Sequence, residues 1–151
     1  MKQIHKNASF LLLMASLGFG VGCGSGGEPP TKAAFITEAD VICRKADKAK
    51  IAGMQAAAKK APIDQMSEAE LMKTVISVSM PPLAIEAKEL QELSPPEGDA
   101  AKIESMAKGI EEAIEKAEAD PRTLAQESTN PFKKVNAEGK QYGFKDCSEF
   151  S

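Results

Sequence analysis

The sequence contains three cysteines, Cys23, Cys43 and Cys147, whose thiols offer the widest choice of chemistry in the chain. A thiol can form a disulfide, bind a metal or act as a nucleophile. Nucleophilic and acid–base catalysis usually recruits histidine, and the only histidine is His5, close to the N-terminus. The cysteines also form no C-x-x-C pair. We therefore expect the thiols to serve structure or attachment, and we predict no catalytic residue and no cofactor.

The N-terminal segment has the composition of an export signal. Basic residues occur up to Lys6, and residues 8–22 follow without a charge and end in small residues before Cys23. A basic start, an apolar run of about 15 residues and small residues at its end are typical of a secretory signal peptide. A membrane-spanning helix needs ~20 apolar residues. Residues 1–22 are therefore predicted to be a signal peptide that is removed together with His5.

The stretch Phe19-Gly20-Val21-Gly22-Cys23 resembles the lipobox of bacterial lipoproteins. The resemblance implies that the Cys23 sulfur receives a diacylglyceryl group and that cleavage before Cys23 makes it the new N-terminus. It also implies anchorage in membrane lipid. In a cell with two membranes this would be the outer one, because Gly24 and not aspartate follows the cysteine. In any other cell it would be the outer face of the cell membrane. Gly20-Val21-Gly22 also fits an ordinary small-x-small cleavage site, which would release a soluble protein.

The odd number of cysteines connects this resemblance to the other two thiols. Disulfides persist in oxidising compartments, and an exported protein with an odd cysteine needs a use for it. If Cys23 carries lipid, Cys43 and Cys147 can pair. That bridge would close a loop of roughly 100 residues and contribute about 4–5 kcal/mol in the chain-entropy account. If Cys23 carries no lipid, one thiol is left over and a redox role stays open.

The exported part is predicted to be a flexible tether followed by helices. Residues 23–34 are rich in Gly, Ser and Pro, and residues 35–151 are rich in Ala, Glu and Lys with no Trp. This composition favours closely packed helices over a β-sandwich. Apolar spacing and capping residues predict five segments: one from a capping box at Thr37–Asp40, one from a capping box at Ser67–Glu70 to Pro81-Pro82, one over 83–93, one capped by Asp99, and one from Asn130-Pro131 to Gly143. The fold class is all-α, an up-and-down bundle of four to five helices.

Neither a metal nor a nucleic acid is predicted as a partner. Four glutamates recur along the predicted fourth helix (Glu104, Glu111, Glu115 and Glu118), but a di-iron bundle would need histidine partners and calcium would need a constrained loop. We interpret them as a solvated face. The methionines occur singly, as core residues do. No patch of Lys and Arg interleaved with aromatics is present.

Two further stretches, "ADVICRKA" around Cys43 and "YGFKDC" ending at Cys147, are similar to the small two-cysteine helical lipoproteins of bacterial envelopes. The resemblance implies a fold and a location and no active site. We therefore predict a membrane-anchored, non-catalytic binding or accessory module with a possible envelope protein partner. A soluble secreted helical protein with a structural or ligand-binding role, or a thiol-redox protein, is the alternative.

Overall fold

The computed structural model describes residues 28–150, and every regular element in this range is a helix. The four α-helices are α1 (Lys32–Lys60), α2 (Glu68–Glu92), α3 (Ala100–Ala119) and α4 (Lys133–Tyr142). Two short 3₁₀ turns lie at Ile63–Gln65 and Pro121–Ala125. The predicted all-α bundle is confirmed. Across residues 28–150, none of these helices combines the length and the apolar character that crossing a bilayer requires.

Helix α1 begins earlier than the sequence indicated. Thr31 is its N-cap, and the Thr31 Oγ1 accepts a hydrogen bond of 3.2 Å from the Ala34 amide. The Thr37 hydroxyl lies inside the helix and donates to the Ala33 carbonyl at 2.9 Å, so the predicted capping box at Thr37 is wrong. Thr31 can cap because it directly follows Pro29-Pro30, which favour extended backbone before the first turn. The helix therefore includes residues 32–34, which were assigned to the tether.

Helix α2 continues through Pro81-Pro82, where the sequence predicted a stop or a kink. The two prolines lack N–H groups, which leaves the carbonyls of Ser77 and Val78 without their usual partners in the helix. The neighbouring Met80 and Leu83 are buried in the core and offset this loss. The second and third predicted segments are therefore one helix. The predicted capping box at its start is confirmed, because Ser67 and Glu70 exchange side-chain and backbone hydrogen bonds of 3.3 and 2.9 Å.

The start of α3 lacks the side-chain cap that the sequence predicted. Asp99 is the N-cap residue, but its side chain makes no capping hydrogen bond. The carboxylate instead accepts a hydrogen bond of 2.7 Å from the hydroxyl of Tyr142, a buried residue at the end of α4. A buried hydroxyl needs a partner, and Asp99 is the acceptor within its reach. The predicted capping role is therefore replaced by a contact between two helices.

The last helix begins at Lys133 and not at Pro131, where the sequence predicted its first turn, and it ends as predicted at Gly143. This residue has a left-handed conformation with φ of 106°, and the Phe144 amide donates to the Gly139 carbonyl at 3.1 Å. This is a Schellman closure, which turns the chain back on the helix. Phe144 then packs against Tyr142 at 4.9 Å between ring centroids and against Phe35 at 6.2 Å.

Helix α2 lies between α1 and α3, and both pack along it. We call the end where α1 begins and α2 ends the proximal end; α4 and the C-terminal segment 143–150 complete it. The distal end holds the 61–67 connection and the turn Pro121–Ala125. Buried side chains on α1 stop at Ala46 and those on α2 begin at Ser79, so residues 47–78 bury no side chain fully. The core is therefore thick at the proximal end and thin at the distal end.

Candidate functional site

A disulfide joins Cys43 on α1 to Cys147 in the C-terminal segment. Phe35, Ala39, Cys43 and Ala46 form the buried stripe of α1, at the spacing of one helix face. The two cysteine Cα atoms are 5.2 Å apart and 104 positions apart in sequence, and both residues are buried. The predicted pairing is confirmed. Its effect is to hold the C-terminal segment against the first helix.

Asp40 holds the same segment by a second means. Its carboxylate is buried, and its Oδ1 accepts hydrogen bonds from the backbone amides of Lys145, Asp146 and Cys147 at 3.1, 3.0 and 3.3 Å. Three amides converging on one oxygen form an anion-binding concavity of the kind made by consecutive backbone N–H groups. Arg44, one turn further along α1, also forms an ion pair with Asp146.

Helix α4 supplies further attachments for this segment. The Asn136 side chain and the Phe150 backbone exchange two hydrogen bonds of 3.1 and 2.8 Å. Gly139 lies so close to the segment that a Cβ atom there would be 2.6 Å from the Cys147 carbonyl oxygen. Only glycine permits this approach. The C-terminal segment is thus bound by several groups that do not depend on the disulfide.

Glu86 of α2 lies beside the disulfide in the core. Glu86 is only 2% exposed, and its Oε1 atom has no hydrogen-bond partner. A carboxylate oxygen of Glu86 and the sulfurs of Cys43 and Cys147 all lie within 4.8 Å of one another. Burial raises the pKa of Glu86 to about 8, and the positive charge of Lys50 opposes part of this rise. The Glu86 side chain is therefore a protonated acid at neutral pH.

Sequence reasoning missed Glu86. The residue falls on the buried stripe of α2 that also contains Leu83, Ala87 and Leu90. A charged residue at the i+3 position of an apolar stripe was a signal that could have been noticed. The convergence with the two cysteines could not, because it depends on how α1 and α2 cross.

A narrow cleft of about 90 Å³ between α1 and α2 reaches Glu86 from the surface. Its walls include Ala46 and Ala49 of α1 and Pro82 and Ile85 of α2. Ile85, which is 56% exposed, and the ion pair of Lys45 with Glu89 also line this cleft. The short side chains of Ala46 and Ala49 on α1 leave this space open beside Pro82 of α2.

A larger groove of about 720 Å³ lies at the distal end, between the first turns of α2 and the end of α3. Met72, Ile76 and Pro121 line its floor, and charged residues including Lys73 and Arg122 form its rim. The ion pair of Arg122 with Asp120, at 2.8 Å, fixes one wall and lowers the pKa of the Asp120 carboxyl. Apolar walls with a few charged groups are the usual make-up of a binding groove.

The other candidate residues from the sequence form no common site in the part of the chain that the structure describes. Cys23, the predicted lipid attachment point, lies outside the described residues. The four glutamates of α3 (Glu104, Glu111, Glu115 and Glu118) are all exposed, as predicted for a solvated face. Met80 and Met106 are buried in the hydrophobic core.

Comparisons of the chain with protein-family models, curated proteins and solved structures find no match. The functional argument therefore rests on the residues and the geometry described above.

Proposed function

We propose that this protein is an exported bacterial lipoprotein, anchored in a membrane through Cys23, that acts as a non-catalytic binding or accessory module of the cell envelope. The observation that carries the proposal is the Cys43–Cys147 disulfide. It uses two of the three cysteines, and the third is the one that the lipobox resemblance assigns to lipid. A buried disulfide also agrees with an oxidising compartment.

The position of α1 supports a module whose contact surface lies away from the membrane. The helix begins at Lys32, nine residues after Cys23, and its 29 residues extend over about 43 Å. A short tether would hold the proximal end near the lipid surface and leave the distal groove far from it. We infer that the distal groove is the contact surface for an envelope protein or ligand, and that the disulfide and Asp40 keep the anchored end rigid. In a cell with two membranes, the outer membrane is the proposed location.

The experiment is mass spectrometry of unreduced peptides from native membranes. The proposal expects an N-terminal Cys23 that bears diacylglycerol, together with a bridged Cys43–Cys147 peptide. A mature N-terminus at Cys23 without lipid would support the soluble secreted alternative instead. Cys23→Ala should release the protein from lipid anchorage, whereas Cys43→Ala should leave the anchor in place.

The groove is tested separately with a photo-crosslinking residue at Met72 on its floor. The matched control is the same residue at Glu115, on the exposed face of α3. A partner that occupies the groove gives a crosslinked species from position 72 and none from position 115. Equal crosslinking at both positions would contradict a role of the groove.

One observation favours a second candidate, a thiol-redox protein. Glu86 lies within 4.8 Å of both sulfurs, where a carboxyl group could exchange a proton with a thiolate. The measurement is the equilibrium potential of the disulfide against glutathione. A structural bridge has a potential below about −300 mV, whereas exchange enzymes lie at about −270 to −120 mV.

A further inference from the structure

We propose that Cys43, Cys147 and Glu86 form a zinc-binding site when the disulfide is reduced to two thiols. This inference does not depend on the proposed membrane anchor. Two thiolate sulfurs and one carboxylate oxygen are ligands that Zn²⁺ accepts, at about 2.3 Å from sulfur and about 2.0 Å from oxygen. The three side chains already lie with one potential ligand atom each within 4.8 Å of the other two.

The state of Glu86 is an independent reason to expect a ligand. Its Oε1 atom is fully enclosed and has no hydrogen-bond partner. Buried polar atoms are nearly always paired, and each exception calls for a physical explanation. In the reduced protein, a cation held between this oxygen and the two thiolates would supply the missing partner. No other group of three metal-binding side chains converges in the part of the chain that the structure describes.

The site would persist after reduction because other groups hold Cys147 in place. Asp40 accepts the amide of Cys147 itself, and Asn136 binds the end of the segment at Phe150. The Cα atoms of the two cysteines are 5.2 Å apart. Small rotations of both side chains would bring two sulfurs to the separation of about 3.7 Å that tetrahedral zinc bonds of this length imply.

The cleft between α1 and α2 offers a route for the ion. It reaches Glu86 and has a volume of about 90 Å³. A water molecule takes up about 30 Å³ in the liquid, so the cleft can admit an ion with some of its water. One of these waters would complete a four-coordinate site, because the protein supplies three ligands.

Formation of the zinc site from the disulfide requires a thiol reductant and the metal ion. A dithiol transfers two electrons and two protons to the disulfide, and is itself oxidised to a disulfide. Zn²⁺ then displaces one proton from each cysteine and one from Glu86 as the two zinc–sulfur bonds and the zinc–oxygen bond form. Metal binding and disulfide formation therefore compete for the same sulfurs.

The test uses the full chain with Cys23→Ala, so that Cys43 and Cys147 are the only cysteines. The protein is held in detergent without oxygen and reduced with a water-soluble phosphine, which becomes the phosphine oxide by taking oxygen from water. Titration with Co²⁺ should produce the thiolate-to-cobalt charge-transfer absorption at one ion per chain. Zn²⁺ should then remove it. The unreduced protein should give no such absorption.

Two glutamine variants decide the role of the carboxylate. Glu86→Gln should weaken the affinity at least about tenfold, whereas Glu38→Gln, on the exposed face of α1, should leave it unchanged. The proposal is overturned if the reduced parent gives no charge-transfer absorption. It is also overturned if both variants bind as tightly as the parent, or if both lose affinity equally. The titration of the parent decides the matter even if Glu86→Gln does not fold.

Discussion

A hydrogen bond between the Asp40 carboxylate and the Cys147 amide links the first helix to the C-terminal segment. The Asp40 Oδ1 accepts the Cys147 amide at 3.3 Å, and the Cys147 sulfur is bonded to Cys43, less than one turn along α1. A hydrogen-bonded carboxylate and a covalent bond thus fasten one short segment at adjacent points. The reduced protein should therefore keep its fold, and this can be tested.

Asp40→Ala should destabilise the oxidised protein by about 4 kcal/mol. The change leaves one buried and two part-buried amides without an acceptor, and a buried unpaired group costs about 1–3 kcal/mol. Asp40→Asn keeps one acceptor oxygen and should cost about 1–2 kcal/mol. Urea unfolding measures both. Glu38→Gln on the exposed face of α1 is the control, with less than about 0.5 kcal/mol expected. Equal losses for Ala and Asn would show that the oxygen has no such role.

Glu86 should make the free energy of unfolding decrease as the pH rises from about 4.5 to 8. Burial raises the pKa of Glu86 in the folded state to about 8, against an ordinary value of 4.5. Between these values the unfolded chain has lost the proton that the folded chain still holds, so raising the pH favours unfolding. Below pH 4.5 both states are protonated, and above pH 8 both are ionised. The expected decrease is several kcal/mol.

Glu86→Gln should abolish most of this pH dependence. Glutamine has the shape of the protonated acid and cannot ionise, so the variant should be more stable than the parent at pH 9 and similar to it at pH 5. Urea midpoints at both pH values measure the difference, and Glu38→Gln, on the exposed face of α1, provides the control. A parent protein with equal stability at pH 5 and pH 9 would contradict the raised pKa.

Removing the disulfide should lower stability without releasing the C-terminal segment. Cys43→Ala combined with Cys147→Ala should cost about 4–5 kcal/mol, since the bridge spans 104 positions. The hydrogen bonds of Asp40 and Asn136 should remain, so the amides of residues 145–150 should keep their protection in hydrogen exchange. Loss of that protection would mean that the bridge alone holds the segment.

Alanine substitution at two glycines on different helices should change the free energy of unfolding in opposite directions. A Cβ at Gly53 would be 2.6 Å from the Cγ1 atom of Val78, whereas at Gly109 the nearest atoms are at 3.7 Å. Alanine gains about 1 kcal/mol of helix propensity at either site. Gly109→Ala should therefore stabilise by about 1 kcal/mol, and Gly53→Ala should destabilise by about 1 kcal/mol because α1 and α2 are forced apart.

Val78→Ala provides the check on the Gly53 result. In the double variant the added methyl group has room, so the two effects should couple by more than about 0.5 kcal/mol. Thermal or urea unfolding of the four proteins completes the cycle. Additive effects would show that the two helices are not in contact at this level.

Several features of the fold could be predicted because they depend on neighbours in the chain. The capping box at Ser67 and the left-handed Gly143 are formed by residues within four positions of one another. The helical class follows from composition and apolar spacing in the same way. The pairing of Cys43 with Cys147 was reached by counting cysteines, which needs no geometry.

Other features were decided by contacts that no local pattern reveals. Burial of Met80 and Leu83 carries α2 through Pro81-Pro82, although the prolines alone predict an interruption. The Asp99 carboxylate accepts a hydrogen bond from the Tyr142 hydroxyl, which is 43 positions away in sequence, and it therefore does not cap α3.

The sequence by itself determined the helical class, the capping box that starts α2, the glycine that ends α4 and the two cysteines that pair. The placement of Glu86 against those cysteines was decided only by the tertiary structure. Their meeting depends on the register in which α1 crosses α2 and on the return of the C-terminal segment, and both are set by packing between residues far apart in the chain. Rules based on neighbouring residues predict where a helix forms, but they do not predict which of its faces packs against another helix.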